Sequence, residues 1–158
     1  MLKTTNCLLP PRSYSQRSIS AIKFSNMAPN TTILAVDDND AHRYFIGHTL
    51  EEAGFKVIPA RTATEALESA AGHPDLVLLD VHLPDGNGFD VCRKLKANPA
   101  TSAIPVVMFS SISQTGSAVN DARQLGAAAF LFFPMVREHL ISVVLGTLSS
   151  SKPQPATE

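Results

Sequence analysis

Short apolar runs that alternate with helical patterns most constrain the fold of this chain. Runs of strand length lie at residues 33–36, 76–79, 104–109 and 130–132, with a weaker one at 55–58. Apolar residues on both sides of a strand require that both faces of the sheet be covered. Because helical segments separate the strands, each connection crosses over and the strands run parallel. The pattern therefore predicts an α/β fold with a doubly wound, five-stranded parallel sheet and five helices.

Local signals mark several helix ends and one helix interior. Gly54 is suited to end the first helix, and Thr62 with Glu65 predicts a capping box at the start of the second. Cys92 lies on the apolar side of the third helix and is therefore predicted to be a small core residue rather than a reactive thiol. The fourth helix, near residues 118–125, has the weakest pattern because it is rich in Ala, Ser and Gly.

Composition limits the classes of partner. The formal net charge is -1, whereas surfaces that bind nucleic acids normally carry an excess of Lys and Arg. No apolar stretch approaches the roughly 20 residues needed to span a bilayer. Cys7 and Cys92 lie far apart in the chain, which does not fit a disulfide framework or a zinc site. We therefore expect neither a nucleic acid nor a membrane partner.

The two ends of the chain differ in composition from its centre. Residues 1–30 contain basic residues and serines but no acidic residue, a bias typical of organelle transit peptides. In the favoured alternative, residues 1–26 lie upstream of a true start at Met27. Under either interpretation, residues 1–30 are predicted to be a disordered extension. Residues 31–148 form the predicted domain, and the polar residues 149–158 a disordered tail.

Acidic residues follow two of the predicted strands at the points where these end. Asp37 and Asp38 follow the first strand and Asp80 follows the third. In a doubly wound sheet, the binding crevice lies at the carboxyl ends of the strands, where the strand order reverses. Three carboxylates brought together repel one another, and a divalent cation with oxygen ligands relieves the repulsion. The sequence therefore predicts a Mg²⁺ site at this edge.

Four sequence blocks resemble those of the response-regulator receiver domain family. They are VDDN at 36–39, LLDVHLPDG at 78–86, PVVMFSS at 105–111 and GAAAFLFFP at 126–134, in the order and spacing of the family. The resemblance covers residues 31 to about 148 and implies a flavodoxin-like fold with strand order 2-1-3-4-5.

The resemblance also implies a chemical role for the acidic residues. Asp80 matches the aspartate that attacks a phosphoryl group. Asp37, Asp38, Asp80 and the backbone carbonyl of His82 match the ligands of a Mg²⁺ ion, which offsets the charge of the phosphoryl oxygens. A histidine kinase or a phosphotransfer protein would supply the phosphoryl group, and an unidentified downstream protein would respond. We therefore expect a stand-alone, cytoplasmic receiver domain of a two-component phosphorelay, and not an enzyme.

One residue departs from the family pattern at the end of the last strand. In receivers, a hydroxyl group binds the phosphoryl oxygen, and an aromatic residue moves with it. Ser110 matches the residue with the hydroxyl group, and Phe130 matches the aromatic residue. A lysine ordinarily stands before the proline of the last block, and here that residue is Phe133. An apolar ring cannot pair with carboxylates or with a phosphoryl oxygen as a lysine does. The sequence offers no obvious cationic substitute, although a protonated His82, two residues after Asp80, could approach the phosphoryl group. The Phe133–Pro134 peptide bond is predicted to be cis.

Two other functions compete with a phosphorylated receiver. Phe133 favours a degenerate receiver that acts as a phosphorylation-independent protein-interaction module. A phosphatase of the dehalogenase-like class also uses an aspartate nucleophile on a parallel sheet. That class needs a second aspartate two residues after the nucleophile, where this chain has His82. The phosphatase is therefore disfavoured.

Overall fold

The structure is a computed structural model that describes residues 30–112 and 116–152. Its helices are α1 (Asp40–Glu52), α2 (Ala63–Ala70), α3 (Gly88–Ala97), α4 (Gly116–Gln124) and α5 (Arg137–Ser151). Its strands are β1 (Thr32–Val36), β2 (Lys56–Ala60), β3 (Leu76–Asp80), β4 (His82–Leu83), β5 (Gly86–Asn87), β6 (Val106–Ser110) and β7 (Ala129–Phe132). No helix in these two ranges is long and apolar enough to cross a bilayer. Residues 1–29 of the predicted extension and 153–158 of the predicted tail lie outside the described residues.

Five of the strands form one parallel sheet in the order β2-β1-β3-β6-β7. This is the predicted order 2-1-3-4-5 once β4 and β5 are set aside, so the doubly wound α/β fold is confirmed. The additional strands form a short antiparallel hairpin in which His82 pairs with Asn87 and Leu83 with Gly86. Each has two residues, too few to show an alternating pattern.

Two apolar layers cover the sheet. Leu34 and Val36 of β1 point to the face covered by α2, α3 and α4, whereas Ile33 and Ala35 point to the face covered by α1 and α5. All five residues of β3 and all five of β6 are buried, as expected for central strands of a parallel sheet. The covered sheet holds the carboxyl ends of β1, β3 and β6 in fixed positions.

One predicted helix end has the expected local geometry, and another has half of it. The backbone N–H of Glu65 donates to Thr62 Oγ1 at 3.0 Å. The Glu65 side chain accepts from the N–H of Arg61 at 2.7 Å, one residue before the position that a capping box would use. Gly54 has a φ of 94°, which costs a glycine little. Cys92 is buried, and burial raises the pKa of its thiol, as expected for a core residue.

Helix α5 continues further than the sequence suggested. The prediction of a disordered tail from residue 149 is wrong for residues 149–151, which belong to α5. The hydroxyl groups of Ser149, Ser150 and Ser151 donate to backbone carbonyls four residues earlier at 2.8 to 3.0 Å. These hydrogen bonds satisfy the serine hydroxyl groups within the helix. The polar serines therefore do not end α5.

Candidate functional site

Three carboxylates meet at the carboxyl edge of the sheet. Asp37 and Asp38 directly follow β1, and Asp80 is the last residue of the adjacent strand β3. One oxygen atom from each of the three lies within 4.8 Å of the others. Asp37 is 0% and Asp80 4% exposed, whereas Asp38 is exposed. The structure thus brings together the three acidic residues that the sequence placed at this edge.

Backbone N–H groups orient the two buried carboxylates. The N–H of Asn39 donates to Asp37 Oδ1 at 2.8 Å, and the N–H of His82 donates to Asp80 Oδ1 at 3.2 Å. Both bonds span two residues, the Asx-turn arrangement that aspartate favours at the end of an element. The chain therefore turns away from the sheet directly after each carboxylate.

Burial and mutual repulsion make the site favour positive charge. Burial raises the pKa of Asp80 to about 7, the charges of Asp37 and Asp38 add to the rise, and the hydrogen bond from His82 opposes it. Burial also raises the pKa of Asp37, against the hydrogen bonds that its carboxylate accepts from Asn39 and His42. A cation beside these carboxylates would offset the unfavourable burial of their negative charge.

The donor set fits Mg²⁺. This ion takes oxygen ligands at about 2.1 Å in octahedral geometry, so that ligands on opposite sides lie about 4.2 Å apart. The three carboxylate oxygens lie within 4.8 Å of one another, close enough for one cation to be shared among them. Asp37, Asp38 and Asp80 are therefore suited to hold Mg²⁺. His82, whose carbonyl was predicted as a further ligand, borders the same cleft.

A cleft of about 210 Å³ opens over the carboxylates. Ser111 and Ile112 border it on the side of β6. Ser110 lies at the end of β6 as predicted, but it is fully buried. Its hydroxyl group donates to the carbonyl oxygen of Ile112 at 3.3 Å and accepts from the N–H of the same residue at 3.2 Å. Ser111, to which the sequence did not point, is the serine that borders the cleft among the described residues.

The aromatic residues of β7 and the residue after it have different surroundings. Phe130 is half-buried, and its ring centroid lies 5.3 Å from that of Phe132, which is 46% exposed. Phe133 is half-buried and packs against α1, with its ring centroid 4.0 Å from that of His42 and 5.6 Å from that of Phe45. The Phe133–Pro134 peptide bond is cis, as predicted.

His42 is a residue of the site that sequence reasoning missed. Its Nδ1 atom lies 3.0 Å from Asp37 Oδ2, and it borders the cleft together with His82. The sequence directed attention to His82 because that residue follows Asp80 closely. A single histidine in the first turn of a helix carries no signal of its own, although its position five residues after Asp37 places it near the end of β1.

Comparison with known proteins defines the class of protein. The family model for the response regulator receiver domain matches residues 33–145. The sensory/regulatory protein RpfC of Xanthomonas campestris is 35% identical over 128 residues, which are 79% of this chain and 17% of RpfC. Protein PilH of Pseudomonas aeruginosa is 34% identical over 118 residues, 74% of this chain and 97% of PilH.

A solved structure agrees with these sequence relatives. The crystal structure of a putative response regulator from Chloroflexus aurantiacus has a TM-score of 0.72 at 29% identity, over 76% of this chain and 98% of that one. The chain belongs to the response regulator receiver domain family, and it is a receiver domain of two-component signalling. It spans 17% of the length of RpfC and 23% of the response regulator PleD of Caulobacter vibrioides, but almost all of PilH.

Proposed function

We propose that Asp80 accepts a phosphoryl group from a histidine kinase or a phosphotransfer protein. The observation that carries the proposal is the position of Asp80, a buried carboxylate at the end of a central strand with two further carboxylates beside it. A carboxylate that only solvates the surface does not need burial among like charges, which costs free energy. The cleft over the site leaves room for a phosphoryl group to approach.

Each group at the site has a part in the proposed transfer. A carboxylate oxygen of Asp80 attacks the phosphorus, and the bond from phosphorus to the donor breaks with its electron pair left on the donor atom. Asp37, Asp38, Asp80 and the backbone carbonyl of His82 would hold Mg²⁺, which offsets the charge of the phosphoryl oxygens. Asp80 must be ionised to attack, so a cation beside it also favours the reactive form.

Ser110 and Phe130 are the proposed residues of the response. Ser110 would release its bonds to Ile112 and bind a phosphoryl oxygen, which the short distance between the end of β6 and the end of β3 permits. Phe130, which is half-buried on β7, would then change its packing. A downstream protein would recognise the rearranged surface.

The test is phosphorylation with a small-molecule donor. The chain is incubated with Mg²⁺ and acetyl phosphate, and intact mass is measured before and after treatment with hydroxylamine, which removes acyl phosphates. We expect the mass of one phosphoryl group on the wild-type chain and none on Asp80→Asn. Asp90→Asn is the matched control, because Asp90 is exposed on α3 and pairs with Arg93. A wild-type chain that gains no mass refutes the proposal.

A second candidate function is a phosphorylation-independent protein-interaction module. The packing of Phe133 against α1, in the place where the family has a cation, favours this candidate. The two functions differ in how the fold responds to the phosphoryl group. Backbone amide shifts of α4 and β7 should change on phosphorylation of a switching receiver, whereas unchanged shifts on a phosphorylated chain would support the interaction module.

A further inference from the structure

His42 connects the residue that departs from the family pattern to the acidic site. One side of its ring contacts Phe133, at 4.0 Å between centroids and with an angle of 38° between the ring planes. Its Nδ1 atom lies 3.0 Å from Asp37 Oδ2, and its side chain is 18% exposed. Phe45, one turn further along α1, meets the ring of Phe133 edge-on at 88°. His42 therefore lies between an aromatic pair and a buried carboxylate.

The first turn of α1 contacts Asp37 at three points. The N–H of Asn39 donates to Asp37 Oδ1, and His42 Nδ1 bonds to Asp37 Oδ2. The Arg43 side chain donates to the backbone carbonyl of Asp37 at 2.8 Å. Asn39 also accepts the N–H of His42 as the N-cap of the helix, at 3.1 Å. Both carboxylate oxygens of Asp37 thus have a hydrogen-bond partner from this turn.

The chemistry of the contact sets the role of each atom. An ionised carboxylate only accepts hydrogen bonds, so the contact with ionised Asp37 requires the tautomer of His42 in which Nδ1 carries the proton. Rotation of the imidazole about the Cβ–Cγ bond would break that hydrogen bond, and it would also disturb the contact with the ring of Phe133, whose centroid lies 4.0 Å away. A lysine at position 133 could not hold the imidazole in this way, because its flexible side chain offers no flat apolar face.

We propose that His42 is a positioning residue of the acidic site. The imidazole holds the Asp37 carboxylate in the orientation that serves a divalent cation, and Phe133 holds the imidazole. Phe133 therefore supports the site indirectly, through α1, although it brings no charge to it. This inference rests on the cation site of the proposed function. Removal of a hydrogen bond to a ligating carboxylate or imidazole commonly lowers metal affinity by about 10-fold to 100-fold.

Two substitutions of His42 separate the hydrogen bond from the ring contact. His42→Phe keeps an aromatic ring against Phe133 and removes the donor to Asp37. His42→Asn keeps an amide donor near the position of Nδ1 and removes the ring. His48→Phe is the matched control, because His48 lies on the same helix and pairs with Glu52 at 3.2 Å, outside the residues that border the cleft.

The experiment measures the dissociation constant of Mg²⁺ by calorimetry, without a phosphodonor. We expect His42→Phe to weaken binding about 10-fold, His42→Asn to recover most of the affinity, and His48→Phe to match the wild type. The unfolding midpoint of each variant is measured in parallel, so that a loss of fold is not mistaken for a loss of the ligand orientation. Wild-type or tighter Mg²⁺ binding by His42→Phe overturns the inference, and so does a wild-type chain that does not bind Mg²⁺.

A second readout tests the part played by Phe133. Nitrogen-15 spectra of the imidazole should show Nδ1 protonated in the wild type and a mixture of tautomers in Phe133→Leu, with weaker Mg²⁺ binding in the same variant. Unchanged spectra in Phe133→Leu contradict the role of Phe133. If the Mg²⁺ affinities follow the expected order but Asp80 gains no phosphoryl group, the inference holds and the proposed function fails. If Asp80 is phosphorylated and His42→Phe binds Mg²⁺ normally, only the inference fails.

Discussion

Replacement of Asp80 by asparagine should stabilise the fold in the absence of Mg²⁺. The carboxyl pKa rises from 3.8 to about 7, with burial as its first cause. Each pKa unit corresponds to about 1.4 kcal/mol of free energy, so the ionised group costs at most about 4 kcal/mol of unfolding free energy above neutral pH. Asp37 and Asp38 share part of this repulsion. We therefore expect Asp80→Asn to gain about 2 kcal/mol near pH 8.

The gain in unfolding free energy of Asp80→Asn over the wild type should increase as the pH rises. The folded chain retains the proton of Asp80 to a higher pH than the unfolded chain does. The unfolding free energy of the wild type therefore falls as the pH rises from about 4 to about 7. Asp80→Asn lacks this proton, so its advantage should be absent near pH 4 and complete above about pH 7. Mg²⁺ should stabilise the wild type and narrow the difference.

Urea unfolding in EDTA measures the difference in unfolding free energy between the two chains. Circular dichroism follows the unfolding, because the chain contains no tryptophan. The series compares wild type and Asp80→Asn at several pH values from about 4 to about 8. Equal stability of the two chains at the highest pH would refute the reasoning. A difference that stays constant across the series would also refute it, because the stabilisation would then not come from the charge.

Two further predictions concern residues around the site. Asp85→Asn should lower stability at neutral pH, because the N–H groups of Ala63 and Thr64 hold the pKa of Asp85 below its ordinary value. The loss should disappear in urea titrations as the pH falls through that lowered pKa, and an unchanged midpoint at neutral pH would count against it. Gly88→Ala should abolish Mg²⁺ binding in calorimetry, because its Cβ would lie 2.2 Å from the carbonyl oxygen of Asp80. Gly47→Ala is the control, because nothing lies within 4 Å of its Cβ. It should bind Mg²⁺ as the wild type does and raise the free energy of unfolding by about 0.5 to 1 kcal/mol. Equal Mg²⁺ binding by the two glycine variants would contradict the reasoning.

Much of the fold and of the acidic site follows from local signals. Continuous apolar runs identify the buried strands because both faces of a wound sheet are covered. Asp37, Asp38 and Asp80 could be placed together because carboxyl ends of parallel strands share one edge. The end of α5 was less predictable. Polar serines suggest a frayed tail, but hydroxyl groups that bond within the helix allow it to reach Ser151.

By itself, the sequence determined which strands form the sheet, where the acidic residues stand on it, and that a phenylalanine occupies position 133. Only the tertiary structure decided what that phenylalanine contacts. His42 and Phe133 belong to separate blocks of sequence, and they meet because α1 packs beside the end of β7. Such a contact has no local period or motif, since it depends on how distant elements pack. The sequence shows that residue 133 is a phenylalanine, and its packing against His42 of α1 links it to Asp37.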